Sequence, residues 1–260
     1  MSAAHADAAD LVKACVAARD EPRAHTPPSE TRRLSVTDAY AVQDRLRETL
    51  IGRGDQVAGW KAGFTTRALQ EAYEVSEPVC AFLLASGVLT SGAAIPASRF
   101  VKPGVEAEIA FVMKHDLAGP GVTSARALLA VEGALPALEL IDFRHSGKAV
   151  GTDVIADGVY AKAIVLGGAL TPVTGIDLAL EGLVYEQSGT VVGTATAAEV
   201  LGTPLNSLAW IANHLGARGL GLRAGDVVMT GSVSKVLQPK AGDTVRATYT
   251  RLGSVSVRFA

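Results

Sequence analysis

The sequence predicts an α+β fold with a rolled or sandwiched sheet behind a helical N-terminal region. The first part of the chain reads as helical, strand-like runs dominate the C-terminal two thirds, and those runs do not alternate regularly with helices. Residues 7–19 are Ala-rich and read as a helix. Pro27 and Pro28 separate it from a second helix, which Ser35 or Thr37 can cap and in which Ala39, Val42, Leu46 and Leu50 recur at helical spacing. Strands are expected at residues 57–64, 105–113, 136–143, 163–166, 183–185, 226–230, 244–249 and 255–259, punctuated by Gly, Pro and Asp. Helical inserts are expected at residues 66–73, 124–132 and 204–218, the last opening on Pro204 and closing before Gly219 and Gly221.

Composition narrows the function. The chain has 260 residues, 48% of them hydrophobic and 19% charged, which is enough apolar material for a sizeable core. Formal net charge is -2, and Lys and Arg are scattered, not gathered into a basic stripe that tracks phosphates. Aromatic residues make up only 5%, against base-stacking platforms. No nucleic-acid partner is expected. No apolar run approaches the roughly 20 residues that cross a bilayer, and residues 1–10 lack the basic and apolar regions of a leader. No membrane partner and a cytoplasmic location are therefore expected. Cys15 and Cys80 stand far apart, outside any CxxC or His-rich setting, and read as buried free thiols.

The stretch Gly104-Val105-Glu106-Ala107-Glu108-Ile109-Ala110-Phe111 sets two acids two residues apart in a run that otherwise favours a strand. Side chains at i and i+2 leave the same face, so both carboxylates aim at one place. Glu139 lies in Pro136-Ala137-Leu138-Glu139-Leu140-Ile141-Asp142, between aliphatic neighbours. A charge buried there is costly unless it is paired or bound to a metal. Oxygen ligands of high negative charge suit Mg2+, Mn2+ or Ca2+ better than zinc, and three carboxylates leave about three octahedral positions open. A second reading puts Glu106 and Glu108 on the solvated face of an edge strand and pairs Glu139 with an arginine such as Arg144. Spacing alone does not choose between them.

In Gly59-Trp60-Lys61-Ala62-Gly63-Phe64 a lysine sits between small residues in an apolar stretch. Desolvation would draw its pKa toward neutrality and equip it as a general acid or electrostatic partner. The commoner role of a lone strand lysine is to lay its stem over core and its ammonium in water. His5, His25, His115, His145 and His214 fall in no His–acid motif, and His145 reads as an exposed loop residue. Asp226 and Asp243 follow glycines at turn positions, Ser232 and Ser234 belong to a turn, and Trp210 reads as core or subunit packing.

Six runs occur in order: Gly-Trp-Lys-Ala-Gly-Phe-Thr, Val-Glu-Ala-Glu-Ile-Ala-Phe, Pro-Ala-Leu-Glu-Leu-Ile-Asp, Ile-Ala-Asp-Gly, Val-Leu-Gly-Thr-Pro and Gly-Asp-Val-Val-Met-Thr-Gly. Together they resemble the 2-keto-4-pentenoate hydratase and 4-oxalocrotonate decarboxylase family, within the fumarylacetoacetate hydrolase superfamily, over residues 34–259. The resemblance implies a mixed β-roll like the fumarylacetoacetate hydrolase C-terminal domain, with residues 1–80 as a helical region carrying the first strand and 81–260 as the catalytic roll. It implies that Glu106, Glu108 and Glu139 bind Mg2+ or Mn2+, that Lys61 is the active-site lysine, and that Asp157 lies near the substrate pocket as a second catalytic residue. It further implies a homo-oligomer. One departure bears on substrate: the family shows Asp-Asn-Ala-Ser where this chain has Asp157-Gly158-Val159-Tyr160. With Phe64 and Phe143 in place of the family's leucine and serine, this points to a more apolar pocket lined by Phe64, Phe143 and Tyr160.

The resemblance implies a lyase of aromatic catabolism acting on a small 2-oxo or 2-hydroxydienoate acid. A hydratase adding water to a 2-hydroxy-2,4-dienoate is the first expectation, because Trp60, Phe64 and Phe143 suggest an apolar distal wall. A decarboxylase of a 2-oxo-3-enedioate is the alternative, which a cationic grip on a second carboxylate would favour. A non-catalytic oligomer with a structural metal is a third reading.

Overall fold

The computed structural model describes residues 3–260, with side chains described from residue 8 onward. Its elements in chain order are α1 (Ala3–Asp20), α2 (Val36–Gly52), β1 (Val57–Gly63), α3 (Arg67–Ala72), β2 (Val79–Leu84), β3 (Val88–Thr90), β4 (Ala93–Ile95), β5 (Pro103–Met113), α4 (Ser124–Leu129), β6 (Val131–Asp142), α5 (Gly151–Ala156), β7 (Ala161–Leu166), β8 (Gly182–Gln187), β9 (Thr190–Thr196), α6 (Pro204–Ala217), β10 (Val227–Met229), β11 (Thr244–Tyr249) and β12 (Gly253–Phe259).

Two mixed sheets form the body, as an α+β roll requires. One runs β2-β1-β10-β5-β6-β7-β3 and the other β4-β12-β11-β8-β9. The long antiparallel pair β5–β6 is the spine, and β11 and β12 pack across it from the second sheet. Val105, Ala107, Ile109 and Phe111 of β5 are fully buried, as are Val257 and Phe259 of β12. This alternation fixes the register of β5, since a one-residue slip would drive its acids into that core.

The N-terminal region joins the body through the same patterning. Ser35 Oγ accepts from Asp38 N at 3.1 Å and caps α2, whose Val42, Leu46 and Leu50 are buried at helical spacing. The division expected after residue 80 falls inside β2, whose residues on both sides pair with β1. β1 in turn pairs in parallel with β10, so the N-terminal region contributes strands to the main sheet.

Several elements differ from expectation for local reasons. The helix expected over 124–132 stops at Leu129, because Val131 already pairs with Met113 and β6 starts there, five positions earlier than expected. β2 (Val-Cys-Ala-Phe-Leu-Leu) lacks alternation because it is covered on both faces. β9 is largely exposed, Val191 and Val192 included, and its ladder comes from β8. Among the described residues no helix is long and apolar enough to cross a membrane.

The closest backbone approach in the main sheet is at Gly59, where φ is 152° and an added Cβ would lie 1.8 Å from the Val227 carbonyl oxygen. Gly59→Ala must part β1 from β10, an overpacking expected to cost about 3 kcal/mol. A urea midpoint equal to that of the unchanged protein would contradict this register.

Candidate active site

The β5–β6 ladder brings the three acids together. Glu106 lies directly opposite Glu139, and Glu108 sits two residues along on the same face. One carboxylate oxygen from each lies within 4.8 Å of the others. Glu108 and Glu139 are fully buried, and Glu106 keeps a partly exposed edge. The edge-strand reading fails, because β5 is interior and paired with β10 on one side and β6 on the other.

Lys61 enters the same cluster from β1. Its Nζ donates to Glu139 Oε1 at 2.5 Å and to the Val159 carbonyl at 3.1 Å, and the residue is only 2% exposed. It therefore does not snorkel. Burial works to strip its proton, but Glu139, Glu106 and Glu108 outweigh burial and raise its pKa. The drop toward neutrality expected from desolvation alone is thus reversed, since one ammonium faces three carboxylates.

The acids themselves are all pushed up by burial. Repulsion from Glu139 adds to this at Glu106 and Glu108, whereas Lys61 opposes it at Glu139, and Glu106 reaches about 7. Gly231 N–H donates to Glu108 Oε2 at 2.8 Å. Glu108 Oε1 and Glu139 Oε2 are buried without a hydrogen-bond partner. Orphaned carboxylate oxygens inside a protein are costly. An all-oxygen set of excess negative charge with free lone pairs fits a hard divalent cation.

A second cluster, Cys15, His25 and Asp157, also brings ligand-type atoms within 4.8 Å of one another. It does not suit a cation. Asp157 Oδ1 accepts from Arg19 Nη1 and Oδ2 from Arg144 Nε, both at 2.8 Å. Burial works against the Asp157 charge, but the Arg144 and Arg19 guanidiniums prevail and hold its carboxyl at about 2. Burial pushes the Cys15 thiol up, so it stays protonated. Arg144, the alternative partner for Glu139, is thus spent on Asp157, and both Asp157 oxygens are committed.

The three residues expected to line an apolar pocket each pair with another ring. Phe64 stacks on Tyr73 with ring centroids 4.4 Å apart, and Phe143 meets Tyr160 edge-on at 5.5 Å. Burial raises the Tyr73 phenol, and the Glu106 charge raises it further. Tyr73 is not legible in the sequence, because it caps a six-residue helix and its stack on Phe64 is a tertiary contact. Trp60 alternates away from Lys61 and lies under Arg47 of α2, 5.6 Å from the guanidinium, so it is no part of this wall. His145 is half-buried, not exposed: its Nδ1 is 2.7 Å from the Tyr160 hydroxyl, and burial lowers its pKa to about 4. The reason is a backbone bridge between His25 and His145 that covers the loop.

The pKa of Glu106 fixes the sign of a pH effect in chelator-treated protein. Its folded value of about 7 exceeds the unfolded value of 4.5, so the stabilisation is complete below 4.5 and is lost as pH rises through 7. Between about pH 5 and about pH 8 the unchanged chain is expected to lose about 2–3 kcal/mol relative to Glu106→Gln in denaturant titrations. Parallel pH profiles for the two proteins would contradict the buried cluster.

Residues 51–260 match the model of the fumarylacetoacetate (FAA) hydrolase C-terminal family. The 4-oxalocrotonate decarboxylase of Pseudomonas putida is 34% identical over 236 residues, covering 90% of this chain and 89% of that one. A 2-hydroxypent-2,4-dienoate hydratase of Pseudomonas putida is 38% identical over 189 residues, covering 72% of this chain and 85% of that one. Among solved structures, the 4-oxalocrotonate decarboxylase from Pseudomonas putida G7, complexed with magnesium and adipate, superposes with a TM-score of 0.95 at 31% identity over 98% of both chains. The chain described here belongs to the fumarylacetoacetate hydrolase family.

Proposed function

We propose that this protein is a divalent-metal-dependent lyase that adds water to a 2-hydroxy-2,4-dienoate and yields a 4-hydroxy-2-oxo acid. The observation that carries this reading is the buried Glu106–Glu108–Glu139 cluster with two oxygens left unsatisfied and a lysine on its edge. Glu106, Glu108 and Glu139 would hold Mg2+ or Mn2+. Bound there, the cation supplies Lewis-acid stabilisation of negative charge on the substrate's 2-oxygen. The known relatives, a dienoate hydratase and an oxalocrotonate decarboxylase, act on acids of this type.

The chain's own groups supply the rest. Lys61 holds a proton between Glu139 and the Val159 carbonyl, where it can donate to the substrate or steady a developing oxyanion. Phe64, Tyr73, Phe143 and Tyr160 form an apolar wall that limits water and favours a substrate with one carboxylate. Asp157, with both oxygens held by arginines, serves as an anchor and not as a proton carrier.

A decarboxylase of a 2-oxo-3-enedioate is the second reading, and one observation favours it. Exposed Lys102 places its Nζ 5.8 Å from the centre of the Phe143 ring, where it could meet a second carboxylate at the rim of the wall. Assay of both substrates with Mg2+ decides: loss of the dienoate chromophore supports the hydratase, and CO2 release from the enedioate without water addition overturns it.

Two variants test the assigned roles. Lys61→Met is expected to lower kcat by about 10²–10⁴-fold without weakening Mg2+ binding, since it removes a positive charge from beside the carboxylates. Glu139→Gln is expected to lose Mg2+ binding in calorimetry. A Lys61→Met protein with unchanged kcat, or a Glu139→Gln protein with unchanged Mg2+ affinity, would contradict the corresponding role.

A further inference from the structure

Three consecutive left-handed residues follow α5: Gly158 at φ 70°, Val159 at 51° and Tyr160 at 58°. Residues with a Cβ rarely adopt this conformation. Two in succession persist only where the surroundings over-determine them. The run matters to the site at both of its side-chain-bearing residues. The Val159 carbonyl accepts from Lys61 Nζ, and the Tyr160 ring packs on Phe143.

What holds the run comes in part from the opposite end of the sequence. Arg19, in the last turn of α1, donates from Nη1 to Asp157 Oδ1 at 2.8 Å and from Nη2 to the Asp157 carbonyl at 2.6 Å. The same Nη2 would lie 3.2 Å from a Cβ at residue 158, so the guanidinium sits directly against Gly158. Arg144 grips Asp157 from its other oxygen, Nε to Oδ2 at 2.8 Å and Nη2 to the carbonyl at 3.2 Å. Arg19 is itself braced by a bond to the Cys15 carbonyl at 2.9 Å, and Lys162 Nζ donates to the Arg19 carbonyl at 3.3 Å. The Arg144 side chain is wholly buried, whereas that of Arg19 is 12% exposed, so Arg19 is the arm that can be changed without emptying the core.

We propose that Arg19 is a positioning residue of the active site: its two-pronged grip on Asp157 keeps residues 158–160 left-handed, and this places the Val159 carbonyl on Lys61 and the Tyr160 ring in the aromatic wall. The assignment rests on the role proposed above for Lys61. A helix-docking arginine with no other role would affect the stability of the protein and leave kcat and the exchange of this turn untouched once the protein is folded. A positioning arginine changes the rate while leaving the carboxylates on β5 and β6 undisturbed.

The test uses the full chain with saturating Mg2+ and 2-hydroxypenta-2,4-dienoate as the probe. Arg19→Met is expected to lower kcat by about tenfold or more, as misplacement of a catalytic group does, with Mg2+ affinity within about twofold of the unchanged protein. Arg19→Lys, which keeps one prong, recovers part of the loss. Val159→Gly removes the Cβ penalty at a left-handed position, so its effect on kcat is expected to be more favourable in the Arg19→Met background than in the unchanged chain by about fivefold. Hydrogen exchange supplies a readout free of activity. The Val159 and Ala161 amides, bonded to the Val154 and Gly158 carbonyls, are expected to exchange about tenfold faster in Arg19→Met while β5 and β6 keep their protection. An Arg19→Met protein with kcat within about twofold of the unchanged one, additive effects of the two substitutions, or unaltered exchange at the turn overturns the assignment. Inactivity of the unchanged chain on the dienoate counts against the hydratase reading, and the exchange result then still decides whether Arg19 holds the turn.

Discussion

Three carboxylates are forced to share one buried place, and most of what is distinctive in this structure answers that constraint. The ladder between β5 and β6 sets Glu106 opposite Glu139, and alternation puts Glu108 beside them. Their backbone neighbours cannot relieve the repulsion by a slip of register, because Val105, Ala107 and Ile109 are locked in the core between the two sheets. Relief has to come from charge. Lys61 supplies one ammonium, Gly231 supplies one backbone N–H, and two oxygens still stand without a partner.

The contrast with the nearby Asp157 cluster shows how charge balance separates the roles of two sites built from similar atoms. Asp157 faces two guanidiniums and is held as a carboxylate, its oxygens spent on hydrogen bonds. The glutamate cluster faces one ammonium and retains protons well above the usual carboxylate range. The first arrangement is closed and rigid, suited to bracing a strained turn. The second is electrostatically incomplete, suited to a ligand of opposite charge.

Part of this is legible in the sequence. Period-two spacing marks Glu106 and Glu108 and a charge amid aliphatic residues marks Glu139, both local signals, but spacing leaves the edge-strand alternative open and only the resemblance over six runs favours a shared site. The sign of the Lys61 shift was not legible, because it depends on carboxylates from strands far along the chain. Arg19 gave no signal at all, for its partner lies 138 positions away and its helix has an ordinary Ala-rich pattern. Tyr73 and the half-buried His145 were missed for the same reason: each owes its setting to a tertiary contact, a ring stack in one case and a backbone bridge in the other. Elements with a clear period are legible, while β2, buried on both faces, and β9, exposed and paired through β8, carry none.

Glu106, Glu108 and Glu139 are proposed to hold one divalent cation and to leave part of its coordination sphere open to a planar 2-oxo acid. Water-proton relaxation of Mn2+ titrated into the protein, followed by oxalate, measures this directly. One Mn2+ per chain is expected, with enhanced relaxation that falls as oxalate displaces the bound waters and stays absent in a chain lacking the Glu139 carboxylate. Binding that shows no exchangeable water, or enhancement that oxalate does not alter, would contradict it.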